Sequence, residues 1–261
     1  MPPRLLWFCW LTGLVLFTPV LAPCQSLGQD YWFQPGFLNS AVEGHNWGGA
    51  VGFGLTGTGG NSENLDLNLT IDAARKTDAG VTDFLFNYFY TESDLVTSTD
   101  RIFSKARHEH HLANPALSWY VSGTFEWDRF SGYDYRVAMH SGAGLFLWKE
   151  KLRLLKMRAG IGTSREFGGV YEEWIPELQL GLDWERTFGG RTTLSATNDY
   201  YPGLDDFSRY RVNTRVGLDT VLDANLGLGL GLFILNRYNH NPDPGFQPND
   251  MDYGANLTID F

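Results

Sequence analysis

The chain has 261 residues, of which 30 are glycine, 15% are aromatic and 19% are charged. Its net charge of −10 disfavours nucleic acid as a partner, because binding to phosphate groups requires a basic surface. The mean hydropathy of −0.24 does not indicate a helical membrane protein, and the abundance of glycine and aromatic residues favours a β-rich protein with aromatic belts over a helical enzyme.

The N-terminus has the pattern of a secretory signal peptide. Arg4 supplies the positive charge, residues 5–21 form an almost uninterrupted apolar run, and small or turn-forming residues follow. A single spanning helix is the alternative, but the run is short for a span and contains Pro19 near its end. We expect residues 1–26 to be a signal peptide and residues 27–44 to be a periplasmic linker or a segment tucked into the lumen of the domain that follows.

Both cysteines, Cys9 and Cys24, lie in or beside this segment. The rest of the chain therefore has no disulfide framework and no thiolate metal site. Cys24 is a candidate for lipidation because residues 21–22 precede it suitably, although Pro23 fits that role poorly. Ordinary cleavage near Ser26 is the favoured alternative.

Apolar and polar residues alternate with a period of two along most of the remaining chain, which is typical of β-strands. In the C-terminal segment, every second residue from Tyr253 to Phe261 is apolar or small, and the residues between them are polar or glycine. Strand side chains alternate between faces, so each such segment has one apolar face. We predict about twelve strands, which begin near His45, Asn61, Gly80, Ser98, Ala116, Tyr133, Lys151, Tyr171, Arg191, Phe207, Asn225 and Asp250. The fourth strand, at residues 101–111, has the least regular pattern.

The connections between these strands favour a barrel that crosses an outer membrane. Those after the even-numbered strands are short, whereas residues 92–100, 164–172 and 239–249 are expected to form longer loops, the asymmetry of such barrels. Aromatic residues cluster near strand ends, as rings do at a membrane–water interface. A soluble, lipocalin-like barrel is the alternative, but it would place its polar residues outside.

The predicted fold class is therefore all-β: a single antiparallel, up-and-down transmembrane β-barrel of about twelve strands over residues 45–261. We expect it in the outer membrane of a diderm bacterium, in contact with outer-membrane lipids. The terminal Phe261, after an alternating strand, is similar to the signal that the outer-membrane insertion machinery reads, so this machinery is the expected partner during biogenesis.

Four stretches carry a family resemblance: residues 57–65, 86–90, 127–136 and 201–206. The most specific is a Phe-x-Gly-Tyr-Asp-x-Arg run, formed by Phe130, Gly132, Tyr133, Asp134 and Arg136. With these stretches the chain resembles the YdiY-like family of salt-induced outer-membrane proteins, which carries domain of unknown function 481. The resemblance covers about residues 45–261 and implies an outer-membrane barrel, but no defined activity.

If the apolar faces contact lipid, a set of charged residues must face the lumen. The proposed lumen charge network consists of Arg136, Glu177, Asp183, Glu185, Asp199, Arg209, Arg211 and Arg215. The arginines of the tenth strand are expected to pair with carboxylates of the eighth and ninth, because consecutive strands of an up-and-down barrel are neighbours. Such a network forms a polar passage or binding floor, or it fills and stiffens a narrow barrel; the second is favoured.

The same alternation makes predictions about single side chains. Leucines on the apolar face of two strands should contact lipid, namely Leu178, Leu180, Leu182, Leu228 and Leu230. Gln179 should face the lumen, so Gln179→Arg should be milder than Leu180→Arg.

No constellation indicates a catalytic, metal or cofactor site. The His-rich residues 108–111 lack an evident third ligand, and residues 57–60 end a strand and open no phosphate-binding helix. His140 and Ser141 are adjacent, so a strand sends them to opposite faces, and nothing requires His240 to meet Ser208. Three functions stay open: an envelope permeability protein, linked by the resemblance to osmotic or salt stress; a lipid-modifying outer-membrane enzyme; and a structural or adhesive barrel acting through its outer loops.

Overall fold

A computed structural model describes residues 47–58, 64–169 and 172–261 and shows a closed barrel of antiparallel strands. The expected signal peptide and the segment 27–44 lie outside the described residues. Twelve strands form the wall: β1 (Trp47–Thr58), β2 (Asn64–Thr77), β3 (Gly80–Ser93), β4 (Val96–His111), β5 (Leu117–Asp128), β6 (Tyr135–Glu150), β7 (Arg153–Phe167), β8 (Ile175–Phe188), β9 (Thr192–Pro202), β10 (Tyr210–Asp223), β11 (Leu228–Asn239) and β12 (Asn249–Asp260).

Each strand pairs with its neighbours in the chain, and β1 pairs with β12 to close the barrel. The predicted up-and-down fold is thereby confirmed, and each predicted strand start lies within four residues of the observed one. Even β4, whose sequence pattern is the least regular, is a continuous strand paired on both sides. Among the described residues, no helix is long and apolar enough to cross a membrane.

The closing seam uses the last residue of the chain. Ala50–Phe53 of β1 lie opposite Leu257–Asp260 of β12. Below them the backbone N–H of Gly49 donates to the carbonyl of Phe261 at 3.1 Å, and the N–H of Phe261 donates back at 2.9 Å. Phe261 therefore belongs to the barrel wall.

The two faces of the wall differ as the alternation predicts. On β8, Leu180 and Leu182 point outward and are 47% and 41% exposed, whereas Gln179 and Asp183 point inward and are buried. Leu178, Leu228 and Leu230 also lie on the outward positions of their strands. The exterior is therefore an apolar band and the interior is polar, which is the arrangement of a barrel embedded in lipid.

The strand connections differ between the two ends of the barrel. The end with the chain terminus, called here the short-turn end, has connections such as 78–79, 151–152 and 189–191. The opposite, long-loop end has connections 129–134, 203–209 and 240–248. Aromatic side chains lie on the outside at both ends, with Trp148 at the first and a cluster of Tyr200, Tyr210 and Tyr238 at the second.

One loop prediction is wrong. Residues 92–100 are not a long loop, because β3 runs to Ser93 and β4 begins at Val96. The turn is made by Asp94 and Leu95, whose φ values of 49° and 62° match the two left-handed positions of a tight hairpin. The β-branched residues that follow extend β4 toward the long-loop end.

Candidate functional site

The centre of the lumen is built around one buried guanidinium. Arg158 of β7 is 1% exposed at its side chain and donates two hydrogen bonds of 2.8 Å to the two oxygens of Asp183 on β8. It also forms an ion pair of 2.9 Å with Asp199 of β9. Three consecutive strands therefore meet in one ion cluster, with two carboxylates on a single cation.

Side chains from the opposite wall extend this cluster across the lumen. Arg107 of β4 pairs with Asp83 at 3.1 Å and with Asp183 at 3.4 Å. Lys105, on the same face of β4, pairs with Asp199 at 3.1 Å. Strands β4 and β8 are not neighbours in the wall, so these pairs tie opposite sides of the barrel together.

Neutral side chains fill the same half of the lumen. The Tyr120 hydroxyl donates to the Oε1 atom of Gln179 at 2.9 Å, and the Gln179 amide donates to Asp199 at 3.1 Å. Tyr120 and Gln179 are both 0% exposed. The lumen is therefore plugged beside β5–β8, and Gln179→Arg would place a longer side chain in a position that has no space for it.

Toward the long-loop end, Glu177 of β8 is the next shared carboxylate. Arg211 of β10 reaches both of its oxygens at 2.9 Å, His140 of β6 lies 3.2 Å from one, and Ser164 of β7 donates to the other at 2.6 Å. Arg211 thus pairs with Glu177 as the strand order predicts, and Asp199 of β9 lies on the strand between them.

The long-loop end of the lumen opens into an arginine-rich mouth. Arg136 pairs with Glu126 at 3.0 Å and also with Glu166, and its guanidinium lies 4.4 Å from the centre of the Tyr133 ring. Burial raises the pKa of the Tyr133 phenol to about 12, so the ring is neutral at physiological pH. A second group joins Arg101 of β4 and Arg237 of β11 to one carboxylate, Asp252 of β12.

Three residues of the predicted network have other surroundings than expected. Arg209 lies just before β10, in the connection 203–209, and pairs there with Asp205 and with Glu173 at 3.5 Å. Arg215 reaches across to Asp72 of β2 at 3.9 Å. Glu185 faces the lumen nearer the short-turn end, in the electrostatic field of Asp219 and Lys76. Asp183 and Asp199 are bound by Arg158 and by β4 instead of by the β10 arginines.

The prediction missed the cations at the centre of the network. Arg158 follows the same alternation as the rest of β7, with Met157 and Ala159 on the outward face, so this signal was available. Lys105 and Arg107 were hidden because the outward positions of β4 include Ser104 and His108, which blur the apolar face.

Cavities follow one another along the lumen from the long-loop end. The first, called the mouth cavity, has a volume of about 430 Å³ and is lined by Arg101, Arg136, Arg211 and Arg237 among others. The second, called the upper cavity, has a volume of about 90 Å³ and shares Phe103, Asn213 and Arg237 with the mouth cavity. The remainder of its wall includes Phe89 and Leu235.

Two further cavities continue the series. The lower cavity, of about 130 Å³, shares Lys105, Thr197 and Arg215 with the upper cavity. The glycine-walled cavity, of about 30 Å³, shares Asp72, Arg215 and Asp219 with the lower one, and its wall includes Gly52, Gly217 and Gly231. The upper, lower and glycine-walled cavities are lined chiefly by β1–β4 and β9–β12, opposite the plugged half.

The Phe-x-Gly-Tyr-Asp-x-Arg run shapes the mouth. Phe130, Gly132, Tyr133 and Arg136 all line the mouth cavity, and the Asp134 N–H donates to the carbonyl of Phe167 at 2.8 Å, tying the run to β7. Gly132 lies directly against the side chain of Asp243 in the connection 240–248, and a Cβ atom at Gly132 would collide with it. These two connections therefore meet over the mouth.

The contact at Asp243 should depend on pH. Burial raises the pKa of this carboxyl, Glu166 raises it further, and Arg136 acts in the opposite direction. The raised pKa means that packing of connection 240–248 is favoured below the ordinary carboxyl pKa of about 3.9 and weakens as the pH rises through the raised value.

A nitroxide at Asn241→Cys, with Cys9 and Cys24 replaced by serine, should become more mobile between pH 4 and pH 7. Asp243→Asn should keep it immobile at both pH values; equal pH responses with and without Asp243 would contradict this assignment.

Other sequence candidates do not assemble into a reactive site in the described part of the chain. His108 and His110 point outward from β4, and no three His, Cys, Asp or Glu side chains in residues 47–58, 64–169 and 172–261 are grouped to hold a metal ion. Ser141 donates to the backbone carbonyl of Tyr120, on the face opposite His140. His240 stacks on Tyr210 while Ser208 bonds Asp206.

An apolar exterior, a charged lumen and closure of β1 on β12 define a transmembrane β-barrel. The family model described as "Protein of unknown function, DUF481" matches residues 51–261, and the chain belongs to this family. Comparison with curated proteins gives no match.

Two solved structures are similar to the chain. One is the COG4313 outer membrane channel from Pseudomonas putida F1, with 12% identity and a TM-score of 0.48 over 91% of this chain and 100% of that chain. The other is described as "Unveiling the Mechanism Behind the in-meso Crystallization of Membrane Proteins", with 13% identity and a TM-score of 0.36 over 82% of this chain and 83% of that chain.

Proposed function

We propose that the chain is an outer-membrane permeability protein whose lumen forms a narrow, charge-lined passage for small hydrophilic solutes and ions. The observation that carries this proposal is the series of cavities that share lining residues, from the mouth cavity to the glycine-walled cavity. Arg237 lines both the mouth cavity and the upper cavity, and Arg215 lines the other three cavities. In this proposal, movements of such shared side chains connect the cavities into one passage.

The two halves of the lumen have different roles in this proposal. The half beside β5–β8, with Arg158, Asp183 and Gln179, is closely packed and holds the barrel in shape. The half beside β1–β4 and β9–β12 contains the upper, lower and glycine-walled cavities. Stiffening and permeability, the two interpretations of the predicted charge network, are thus assigned to opposite sides of one lumen.

The location in the outer membrane is part of the proposal. The apolar band, the aromatic rings at both ends and the terminal Phe261 support it, together with the signal-peptide pattern of residues 1–26. In this setting the short-turn end is periplasmic, outer-membrane lipids surround the wall, and the insertion machinery reads the C-terminal strand. The link to osmotic or salt stress rests on the family resemblance.

The full chain should fractionate with outer-membrane vesicles and migrate faster on gels before heating; recovery in the soluble periplasm would contradict this location.

Conductance in planar bilayers tests the passage. Thr197 lines both the upper and the lower cavity. Thr197→Trp places a large ring between them and should reduce the single-channel conductance of the full-length protein to a small fraction of the wild-type value.

The matched control is Ala196→Trp, one residue away on the outward face of β9. It adds the same ring on the lipid side and should leave the conductance unchanged, because aromatic side chains are tolerated on that face. An inserted, heat-modifiable wild-type barrel that conducts no ions would overturn the proposed function. Equal effects of the two tryptophans would place the passage elsewhere.

A further inference from the structure

Arg215 is held more loosely than the other lumen arginines. Its Nη2 atom lies 3.9 Å from Asp72, and its side chain is 30% exposed. By contrast, Arg158 and Arg107 are 1% and 6% exposed and contact their carboxylates at 2.8 Å and 3.1 Å. Removing a long cation from a separation near 4 Å costs little where water reaches the pair, so Arg215 is the lumen arginine best able to change its position.

Arg215 lies where three cavities of the lumen meet. Its side chain lines the upper, lower and glycine-walled cavities together. Lys105 and Thr197 line two of the three, and Asp72 and Asp219 line another two. A rotation of the Arg215 side chain therefore changes the connection between all three cavities at once.

The charges around Arg215 favour a cation in its place. Lys105 is engaged by Asp199, and Arg107 by Asp83 and Asp183. Arg215 pairs with Asp72 and also acts electrostatically on Asp219, which lines the same two cavities, so two carboxylates share one loosely held cation. The carboxyl groups of Glu185 and Asp260 lie near Asp219, toward the short-turn end.

The glycine-walled cavity offers room beside these carboxylates. A Cβ atom at Gly231 would lie 2.9 Å from Asp219 Oδ1, and one at Gly52 would lie 3.2 Å from the Thr258 side chain, so side chains there would fill the space. Its volume of about 30 Å³ fits a single water-sized particle. Thr258 and Asn256 also line it, are 7% and 5% exposed, and each has an oxygen with no hydrogen-bond partner among the described residues. Oxygen ligands of this kind suit a small hard cation.

We propose that Arg215 is a tethered cation that gates the passage, and that the permeating solutes it competes with are small monovalent cations. In the closed arrangement its guanidinium neutralises Asp72 and separates the cavities. When a diffusible cation occupies the position beside Asp72 and Asp219, Arg215 swings toward the upper cavity and the passage is continuous. This inference rests on the proposed function, because it assigns selectivity and gating to the same passage.

Reversal potentials in a KCl gradient across a planar bilayer test it with the full-length protein. Arg215→Ala should raise the open probability and increase the K⁺ to Cl⁻ permeability ratio about 25-fold. Removing one unit charge about 4 Å from an ion in an aqueous passage changes the permeability of each ion about fivefold, in opposite directions for K⁺ and Cl⁻. Arg215→Lys keeps the tethered charge and should stay close to wild type. Asp219→Asn should lower the ratio by a similar factor.

Arg153→Ala is the control, since this arginine is 53% exposed at the short-turn end and pairs only with Glu150 among the described residues. Each variant is first checked for heat-modifiable migration. If Arg215→Ala does not fold, Asp219→Asn and Arg215→Lys, which are close in size to the native residues, still allow the comparison. A channel that conducts with the same permeability ratio in wild type, Arg215→Ala and Asp219→Asn overturns this inference and leaves the proposed passage standing. A correctly inserted barrel without any conductance overturns the proposed function itself, and the gate with it.

Discussion

Arg158→Ala is expected to lower the free energy of unfolding by about 3–5 kcal/mol, the effect of breaking a buried ion pair by removing one partner. Arg158 is 1% exposed and binds two carboxylates, Asp183 and Asp199. Without the guanidinium both carboxylates lose their main partner, and of their ion pairs among the described residues only those with Arg107 and Lys105 remain. Urea unfolding of the barrel in lipid vesicles, followed by the change in gel mobility, measures the difference.

Arg153→Ala on the same strand is the control for the loss of an arginine. Arg153 is 53% exposed and pairs with Glu150 at 2.6 Å. Exposed ion pairs contribute at most about 1 kcal/mol, so this variant should unfold close to wild type. If both variants shift the unfolding midpoint equally, the central ion cluster does not hold the barrel together.

Leu180→Arg is expected to lower the free energy of unfolding by about 2–4 kcal/mol, because it places a cation in the lipid-facing band near its middle. Leu180 is 47% exposed on the outside of β8. Leu226→Arg is the control: this leucine is 71% exposed in the turn between β10 and β11, where a charge reaches water and should cost about 0–1 kcal/mol.

Gln179→Arg, one residue from Leu180, should also be damaging, by about 1–3 kcal/mol of overpacking. Gln179 is 0% exposed and bonded to Tyr120 and Asp199, so a longer side chain must displace both. Vesicle-based urea titrations of the three arginine variants separate the cases. A mild effect at Gln179 together with a strong effect at Leu180 would show that this half of the lumen holds water.

Much of the fold was predictable because the strands of a transmembrane barrel alternate apolar residues facing outward with polar residues facing the lumen. The alternation at Leu178, Leu180 and Leu182 indicates both the strand and its face, and the short turns fix the pairing of neighbours. The two-residue turn at Asp94 and Leu95 was missed because Leu95 occupies the second left-handed position, where glycine is the usual signal.

The lumen was predictable as a set of inward charges but not as a set of pairs. The strand order places Arg211 near Glu177, because only β9 lies between their strands. The contacts of Arg107 with Asp183 and of Arg215 with Asp72 cross the lumen between distant strands. Such pairs depend on the diameter and curvature of the closed barrel, which period-two alternation does not encode.

The passage itself is tested most directly by chemical block from inside the lumen. Thr197→Cys places a thiol between the upper and the lower cavity, and Ala196→Cys places one on the lipid face of the same strand. The wild-type chain, whose own cysteines are at positions 9 and 24, controls for reaction elsewhere. A water-soluble, bulky methanethiosulfonate added during single-channel recording should stop the current through Thr197→Cys and leave wild type and Ala196→Cys conducting. An undiminished current through a fully labelled Thr197→Cys barrel would contradict a passage along this side of the lumen.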